Sequence, residues 1–308
     1  MRFRSQTMMP RALAAGLCMG ALLHGGLLGA GGGERDLNRI SAAQMAPDIP
    51  AALYLDLEGN PKDPAGLAEV GGVKADMVVF LPLAERSIGT ALVVFPGGGY
   101  RSGHDMGHHV EDNARYFVPR GIAIIGVRYR VAAPGAEPTR AVVASALADA
   151  RQAIRLVRSR AGAWHLDSRR IGVLGYSAGG HLALNLAGHF DGGDPTSDVP
   201  ILRQSSRPDF IAALCPWPWK DDVADFHFGA DCPPMFLGSA EDDPIAPTSF
   251  AVGIAASLAK AAVPVELDLY PSGGHMAFHF DQATEASKWP ERFLPWLRSL
   301  PRPDETAP

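Results

Sequence analysis

From residue 77 onward, short apolar runs alternate with segments whose apolar positions recur every three or four residues. The runs are MVVFLP (77–82), ALVVF (91–95), IAIIGV (122–127), RIGVLG (170–175), FIAALC (210–215), PMFLGS (234–239) and VELDLY (265–270). Most are hydrophobic almost without interruption, the pattern of strands covered on both faces in a parallel sheet. Between them VEDNARYFVPR (110–120), AVVASALADARQAIRLVRSRAGAW (141–164), AGGHLALNLAGHF (178–190) and PTSFAVGIAASLAKAA (247–262) have helical character, and KWPERFLPWLRSL (288–300) follows the last run. In the longest of these Val143, Leu147, Ile154 and Val157 recur at helical spacing. The alternation predicts an α/β fold: one domain with a mostly parallel central sheet flanked by helices.

One strand-to-helix junction carries a chemical signal. Gly175-Tyr176-Ser177-Ala178-Gly179 fits G-x-S-x-G, with a buried strand before it and a small-residue helix after it. In that context the serine sits on a strained turn with its hydroxyl above the sheet, where flanking side chains would clash, so glycines are needed. A nucleophilic serine needs a base, and the base needs an orienting carboxylate. On such a scaffold they follow the serine in the order acid, then histidine, each on a loop after a later strand. PMFLGSAEDDPIAPTSF (234–250) offers Asp243, with Glu241 and Asp242 as rivals; LDLYPSGGHMAFHF (267–280) offers His275, with His279 as the alternative. His181 lies on the helix that the elbow starts, so chain order makes it a packing or surface residue. VVFPGGGYRSG (93–103) supplies a glycine-rich loop; Gly98 or Gly99, together with the amide of Ala178, are the expected oxyanion donors.

On these motifs the chain resembles the secreted bacterial α/β-hydrolases related to acetyl xylan esterases, the BD-FAE-like branch near the hormone-sensitive-lipase-like esterases. VVFPGGGY, DARQAIRLVRSRAGAWHLDSRRIGVLGYSAGGHLA, RPDFIAALCPW and SAEDDPIAPTSFAVGIAASLAKAAVPVELDLYPSGGH carry the likeness, which runs from about residue 91 to the C-terminus. The resemblance implies hydrolysis of acetyl or other short acyl esters, of carbohydrates in particular, without metal or organic cofactor. In it Ser177 stands as nucleophile, Asp243 as the acid of a D-x-x-x-P pattern, and His275 as base. Two departures matter. Lipase-like relatives open the glycine loop with histidine, where this chain has Pro96, and the stretch 216–233 is short, which leaves room for a minimal lid over an open cleft.

Other features refine this picture. Trp217 and Trp219 follow a strand at the edge where ligands bind, placed either to stack on a sugar ring or to pack beneath the short insert. Tyr100 either lines the pocket or anchors the glycine turn. HDMGHHVED (104–112) superficially suggests a metal site. His104 and His108 have helical spacing, but no other strand or loop visibly supplies a partner, so a solvated helix start is expected and no metal. Arg155, Arg158 and Arg160 read as solvated or ion-paired helix faces.

The first thirty residues differ in kind. Arg2, Arg4 and Arg11 precede an apolar stretch over 12–30 that ends in glycines, the order of a secretory signal peptide cleaved near Ala30. Glycine dilution argues against a membrane anchor, and Leu17 before Cys18 against a lipoprotein. The expected organisation is a signal at 1–30, a Pro- and Gly-rich lead-in at 31–76 with AALYLDL (51–57) as a short strand, the catalytic domain at 77–300, and a tail at 301–308. The expected location is the periplasm or outside the cell, with no stable membrane insertion after signal removal. Two cysteines remain in the mature chain, Cys215 and Cys232, either a disulfide or two buried thiols. A net charge of −5 with 20% charged residues gives no basic surface for nucleic acid. Two rival functions remain: a peptidase using the same triad, against which stands the lack of a preceding propeller-like domain, and a non-catalytic carbohydrate-binding protein.

Overall fold

The computed structural model describes residues 2–3, 52–62, 75–101 and 104–301. The segment expected to be a signal, with Cys18, lies outside the described residues apart from 2–3, as does the tail beyond 301. Eight strands from residue 53 onward form one sheet: β1 (Leu53–Asp56), β2 (Asp76–Phe80), β3 (Gly89–Phe95), β4 (Ile122–Arg128), β5 (Leu166–Tyr176), β6 (Ile211–Leu214), β7 (Met235–Ala240) and β8 (Val265–Tyr270). Their order is β1-β2-β4-β3-β5-β6-β7-β8, and the two-residue strand Arg2–Phe3 pairs beside β8. β2 runs antiparallel to its two neighbours and the remaining pairs are parallel. The expected α/β-hydrolase fold is what forms.

The uninterrupted hydrophobicity of the strands now has its cause. In β3, Ala91, Val93 and Phe95 enter one apolar cluster, while Leu92 and Val94 enter another on the opposite face. The first cluster is covered by α2 (Arg140–Arg160), α3 (Ala178–His189) and α4 (Thr248–Lys260); the second by α1 (Asp112–Phe117) and α5 (Trp289–Ser299). With helices on both sides, every position of the inner strands β2, β6 and β7 is buried, so period-two alternation disappears from their sequence. AALYLDL does contain a strand: β1 closes the sheet edge against β2, so the lead-in supplies part of the hydrolase sheet. Gln152 and Arg160 of α2 donate to the carbonyls of Leu57 and Gly59 beyond that strand.

Ion pairs tie the helices down. Arg155 pairs with Asp191, and Arg158 with Asp209, besides donating to the carbonyls of Ser205 and Arg207, as their helical spacing led us to expect. Cys215 and Cys232 are buried free thiols; the Cys232 Sγ donates to the carbonyl of Ala187 at 3.1 Å. Segment 216–233 packs against α3 and α4 through His227 and Val223, which crowd Gly188 and Gly253. Among the described residues no helix is long and apolar enough to cross a membrane.

Strand register brings five loops to one edge. Phe95 pairs with Gly175, Tyr176 with Leu214, Leu214 with Gly238, and Ala240 with Tyr270, so β3, β5, β6, β7 and β8 end side by side at their carboxyl ends. Crevices at that edge are where α/β sheets bind ligands.

Candidate active site

Ser177 occupies the turn between β5 and α3 with φ 53° and ψ −116°, a conformation costly for any residue with a Cβ. Its neighbours enforce it. The Ser177 amide donates to the Leu214 carbonyl, and its carbonyl accepts from His181 N and Trp217 N. A Cβ on Gly175 would lie 2.2 Å from the Gly179 carbonyl oxygen, and one on Gly179 would lie 1.9 Å from that of Phe95. Both flanking glycines are therefore required by backbone-to-backbone contact, and the elbow is held in its strained state by the sheet beneath it.

The candidate base arrives from the loop after β8. His275 Nε2 stands 2.8 Å from Ser177 Oγ, and His275 Nδ1 stands 2.7 Å from Asp243 Oδ2. Asp243 fixes its own orientation: Oδ1 accepts the amides of Ile245 and Ala246 at 2.8 and 2.9 Å, leaving Oδ2 for the imidazole. A carboxylate there accepts a hydrogen bond from Nδ1–H, which fixes the tautomer whose Nε2 lone pair faces the serine hydroxyl. The rivals for the acid do other things. Asp242 accepts the amides of Gly273 and Gly274, bracing the histidine loop, and Glu241 is exposed.

Cys215 lies close behind this pair; its Sγ, an Asp243 oxygen and a His275 nitrogen are within 4.8 Å of one another. Burial pushes the thiol pKa well up, so it stays protonated and is a poor nucleophile.

The glycine loop leaves β3 beside the elbow. Tyr129 Oη donates to the Pro96 carbonyl at 2.6 Å, the Gly97 amide donates to His109 Nδ1 at 3.1 Å, and Arg101 N donates to the Gly98 carbonyl. Gly98 and Gly99 both have positive φ, 141° and 65°, which turns the loop sharply just after Gly97, the glycine that lies against Ser177. Ala178 is the first residue of α3 and buried, its amide at a helix N-terminus where negative charge is favoured. Tyr100 proves to be an anchor: fully buried, its hydroxyl lies 2.8 Å from His181 Nδ1. His181 is interior packing, with Nε2 2.8 Å from Asp221 Oδ2, and plays no part near Ser177 Oγ.

The two tryptophans separate. Trp219 lies against Tyr100 and His181, with Arg140 and Lys220 cations over its ring. Trp217 is half-buried beside the glycine loop, 3.9 Å from where a Gly99 Cβ would stand.

The His-rich segment corrects the sequence reading. His104, His109 and Glu111 are buried, so the start of this helix is not solvated. A wide turn over Gly107–Glu111 runs into α1 and turns His109 inward, while His104 packs edge-on to Tyr129 at 4.4 Å. A partner also comes from elsewhere: His279 Nε2 lies 2.9 Å from His109 Nε2. His279 is thus remote from the base role and belongs to this second cluster.

Loss of hydration holds both His104 and His109 down at about 3. Unfolded imidazoles take protons near 6.5, so between pH 6.5 and about 3 the unfolded chain binds more protons than the folded one. Stability is therefore unaffected by these groups above 6.5 and falls as pH drops below it, by roughly 1 kcal/mol per group per pH unit. Denaturant unfolding at pH 7.5 and 5 measures this. His104→Phe, which keeps the Tyr129 contact, shallows the slope; an unchanged slope counts against the assignment.

Comparison with known proteins agrees with the geometry. Residues 77–199 match the family model BD-FAE. An acetylxylan esterase from Xylanibacter ruminicola is 30% identical over 256 residues, 76% of this chain and 50% of that protein. The endo-1,4-beta-xylanase B of Butyrivibrio fibrisolvens is 25% identical over 208 residues, 60% of this chain and 32% of that one. The chain thus spans half or less of the length of these curated relatives. Among solved structures, an acetyl ester-xyloside bifunctional hydrolase from Caldicellulosiruptor lactoaceticus superposes with TM-score 0.68 at 29% identity, over 82% of this chain and 98% of its own. A butyrate-bound esterase from Thermogutta terrifontis shares the fold, with TM-score 0.60 at 23% identity, over 73% and 90%. The chain thus has the α/β-hydrolase fold and is similar to the BD-FAE family over residues 77–199 and to an acetylxylan esterase over about three quarters of its length.

Proposed function

We propose that this protein is a serine carboxylesterase that removes acetyl or other short acyl groups from carbohydrate esters. One observation carries the reading: a continuous line from Asp243 Oδ2 through His275 to Ser177 Oγ, at 2.7 and 2.8 Å, ending on a strained elbow. His275 Nε2 takes the hydroxyl proton as Ser177 Oγ attacks the ester carbonyl. The carbonyl π electrons move onto oxygen, which is received by the Ala178 amide and an amide of Gly98 or Gly99. Collapse expels the alcohol, protonated by His275, and leaves an acyl-serine. Water then repeats the sequence through the same imidazole and releases the carboxylic acid.

The carbohydrate part of the reading is supported by the named activities of the relatives and by Trp217 beside the glycine loop. A ring stacked there contributes about 1 kcal/mol. Trp217→Ala is expected to raise KM for an acetylated xylo-oligosaccharide about fivefold, with p-nitrophenyl acetate turnover nearly unchanged. Trp219→Ala is expected to lower thermal stability instead, since its half-buried ring lies against Tyr100 and His181. A KM change at 219 and none at 217 would reverse the assignment. Export with removal of a segment ending near Ala30 forms part of the proposal; Met1 found intact on exported protein by mass spectrometry would refute it.

The decisive test pairs labelling with a substrate panel. A fluorophosphonate probe is expected to modify the wild-type protein at Ser177. Acetylated xylan and p-nitrophenyl esters of short acyl length are expected to be hydrolysed, and dipeptide amides not. Absence of labelling removes the serine mechanism, and preferential cleavage of the amides makes the protein a peptidase.

A further inference from the structure

Asp105, His109 and His279 bring three ligand-type atoms within 4.8 Å of one another, a grouping that resembles a two-histidine, one-carboxylate metal site. The proton inventory points elsewhere. The Gly97 amide donates to His109 Nδ1, so that nitrogen carries a lone pair and no hydrogen. In a neutral imidazole the proton is then on Nε2, which faces His279 Nε2 at 2.9 Å and donates to it. A nitrogen bearing a proton cannot bind a metal, so His109 is spoken for on both sides by hydrogen bonds.

What those two bonds join is notable. Gly97 opens the glycine loop: a Cβ on it would lie 3.2 Å from Ser177 Cβ and 3.2 Å from His109 Cε1, so this residue is wedged between nucleophile and imidazole. His279 sits four residues after His275 on the loop that brings the base. His109 comes from neither loop, and its ring stacks on Tyr176, the residue before Ser177, with centroids 4.2 Å apart and planes 17° from parallel. The facing polar groups come from each packed element: Asp105 and His108 from its own segment, Tyr176 from β5, and His279 and His275 from the loop after β8.

We propose that His109 is a positioning residue for the oxyanion loop: as the neutral Nε2–H tautomer it holds the Gly97 amide, and thereby sets where the next two glycine amides point, while tying that loop to the one carrying His275. The proposal rests on the esterase reading above. Full burial keeps the ring neutral across the working pH range, its pKa held at about 3 by loss of hydration. With Pro96 opening the loop, the sequence places no hydrogen-bonding side chain at that position to brace the glycines, and His109, twelve residues after Gly97, does so through space.

Two amide substitutions separate the roles of the two ring nitrogens. In His109→Asn the side-chain carbonyl reaches the place of Nδ1 and still accepts the Gly97 amide; in His109→Gln the amide reaches the place of Nε2 and leaves Gly97 without an acceptor. With p-nitrophenyl acetate, His109→Gln is expected to lose about 10²-fold in kcat with KM nearly unchanged, the mark of a misplaced oxyanion donor. His109→Asn is expected to stay within about fivefold of wild type, because the donor geometry is retained. Comparable thermal midpoints for the two variants would locate the difference in position rather than folding. Equal losses in both, or a loss expressed in KM, would overturn the proposal. Independently of turnover, 15N NMR of the wild-type imidazole is expected to show His109 protonated on Nε2 alone at neutral pH; an Nδ1–H or doubly protonated ring would overturn it. If the wild-type protein hydrolysed no ester, the esterase reading would fail on that count, and the tautomer spectrum would still decide whether the clamp exists.

Discussion

Ser177→Ala is expected to lower kcat for acetyl esters by about 10⁶-fold and to abolish fluorophosphonate labelling, with the thermal midpoint unchanged within about 2 °C. The hydroxyl's hydrogen bond is to His275, and among the described residues no other hydrogen bond to it is seen. Alanine keeps the Cβ, so the positive φ costs it as much as it costs serine, and the sheet beneath continues to enforce the turn. The buried Cys215 thiol cannot substitute as nucleophile, because burial keeps it protonated. Ser177→Gly extends the argument. Glycine adopts φ 53° without strain, so this variant is expected to be equally inactive yet more stable, by about 1 kcal/mol. A gain in stability on losing the nucleophile would show that the elbow stores strain for the sake of the hydroxyl's placement. Full retained turnover by either variant would remove Ser177 from the mechanism.

Much of this was readable in the chain because its physics is local. Strands such as 91–95 and 122–127 read as buried because both faces contact helices, and the elbow read as an elbow because Gly175 and Gly179 must admit backbone oxygen at contact distance. The order serine, acid, histidine followed from strand order, since each loop rises from the carboxyl end of its own strand. What stayed closed depended on distance in sequence. His109 and His279 are separated by 170 positions, and no periodicity links them, so His109 looked like one polar residue in a solvated segment. Tyr100 and His181, 81 apart, were equally unlinked, and their pairing turns a pocket candidate into an anchor. The choice among Glu241, Asp242 and Asp243 was open for the opposite reason. They are adjacent, and a tight turn sends neighbouring carboxylates in different directions by backbone angles that the sequence does not print.

That last choice has the sharpest chemical test. Asp243→Asn is expected to lower kcat by about 10⁴-fold with little change in KM or stability, and the reason lies in which oxygen is already committed. The amides of Ile245 and Ala246 hold Oδ1, so an asparagine at 243 keeps its carbonyl there and presents its NH2 group where Oδ2 stood. An NH2 facing His275 Nδ1 demands a lone pair on that nitrogen, which moves the imidazole proton to Nε2. A protonated Nε2 cannot receive the serine hydroxyl's hydrogen, so the base is lost by tautomer while every distance in the site is preserved. Asp242→Asn carries the same change in charge one residue earlier, yet its carboxylate braces Gly273 and Gly274 and never meets the imidazole, so its loss is expected to stay within about tenfold. In the proposed mechanism serine, histidine and acid act as one unit, so adding Asp243→Asn to Ser177→Ala is expected to cost nothing further. Equal losses at 242 and 243 would mean that charge near the loop, and not the proton's address on His275, is what the acid contributes.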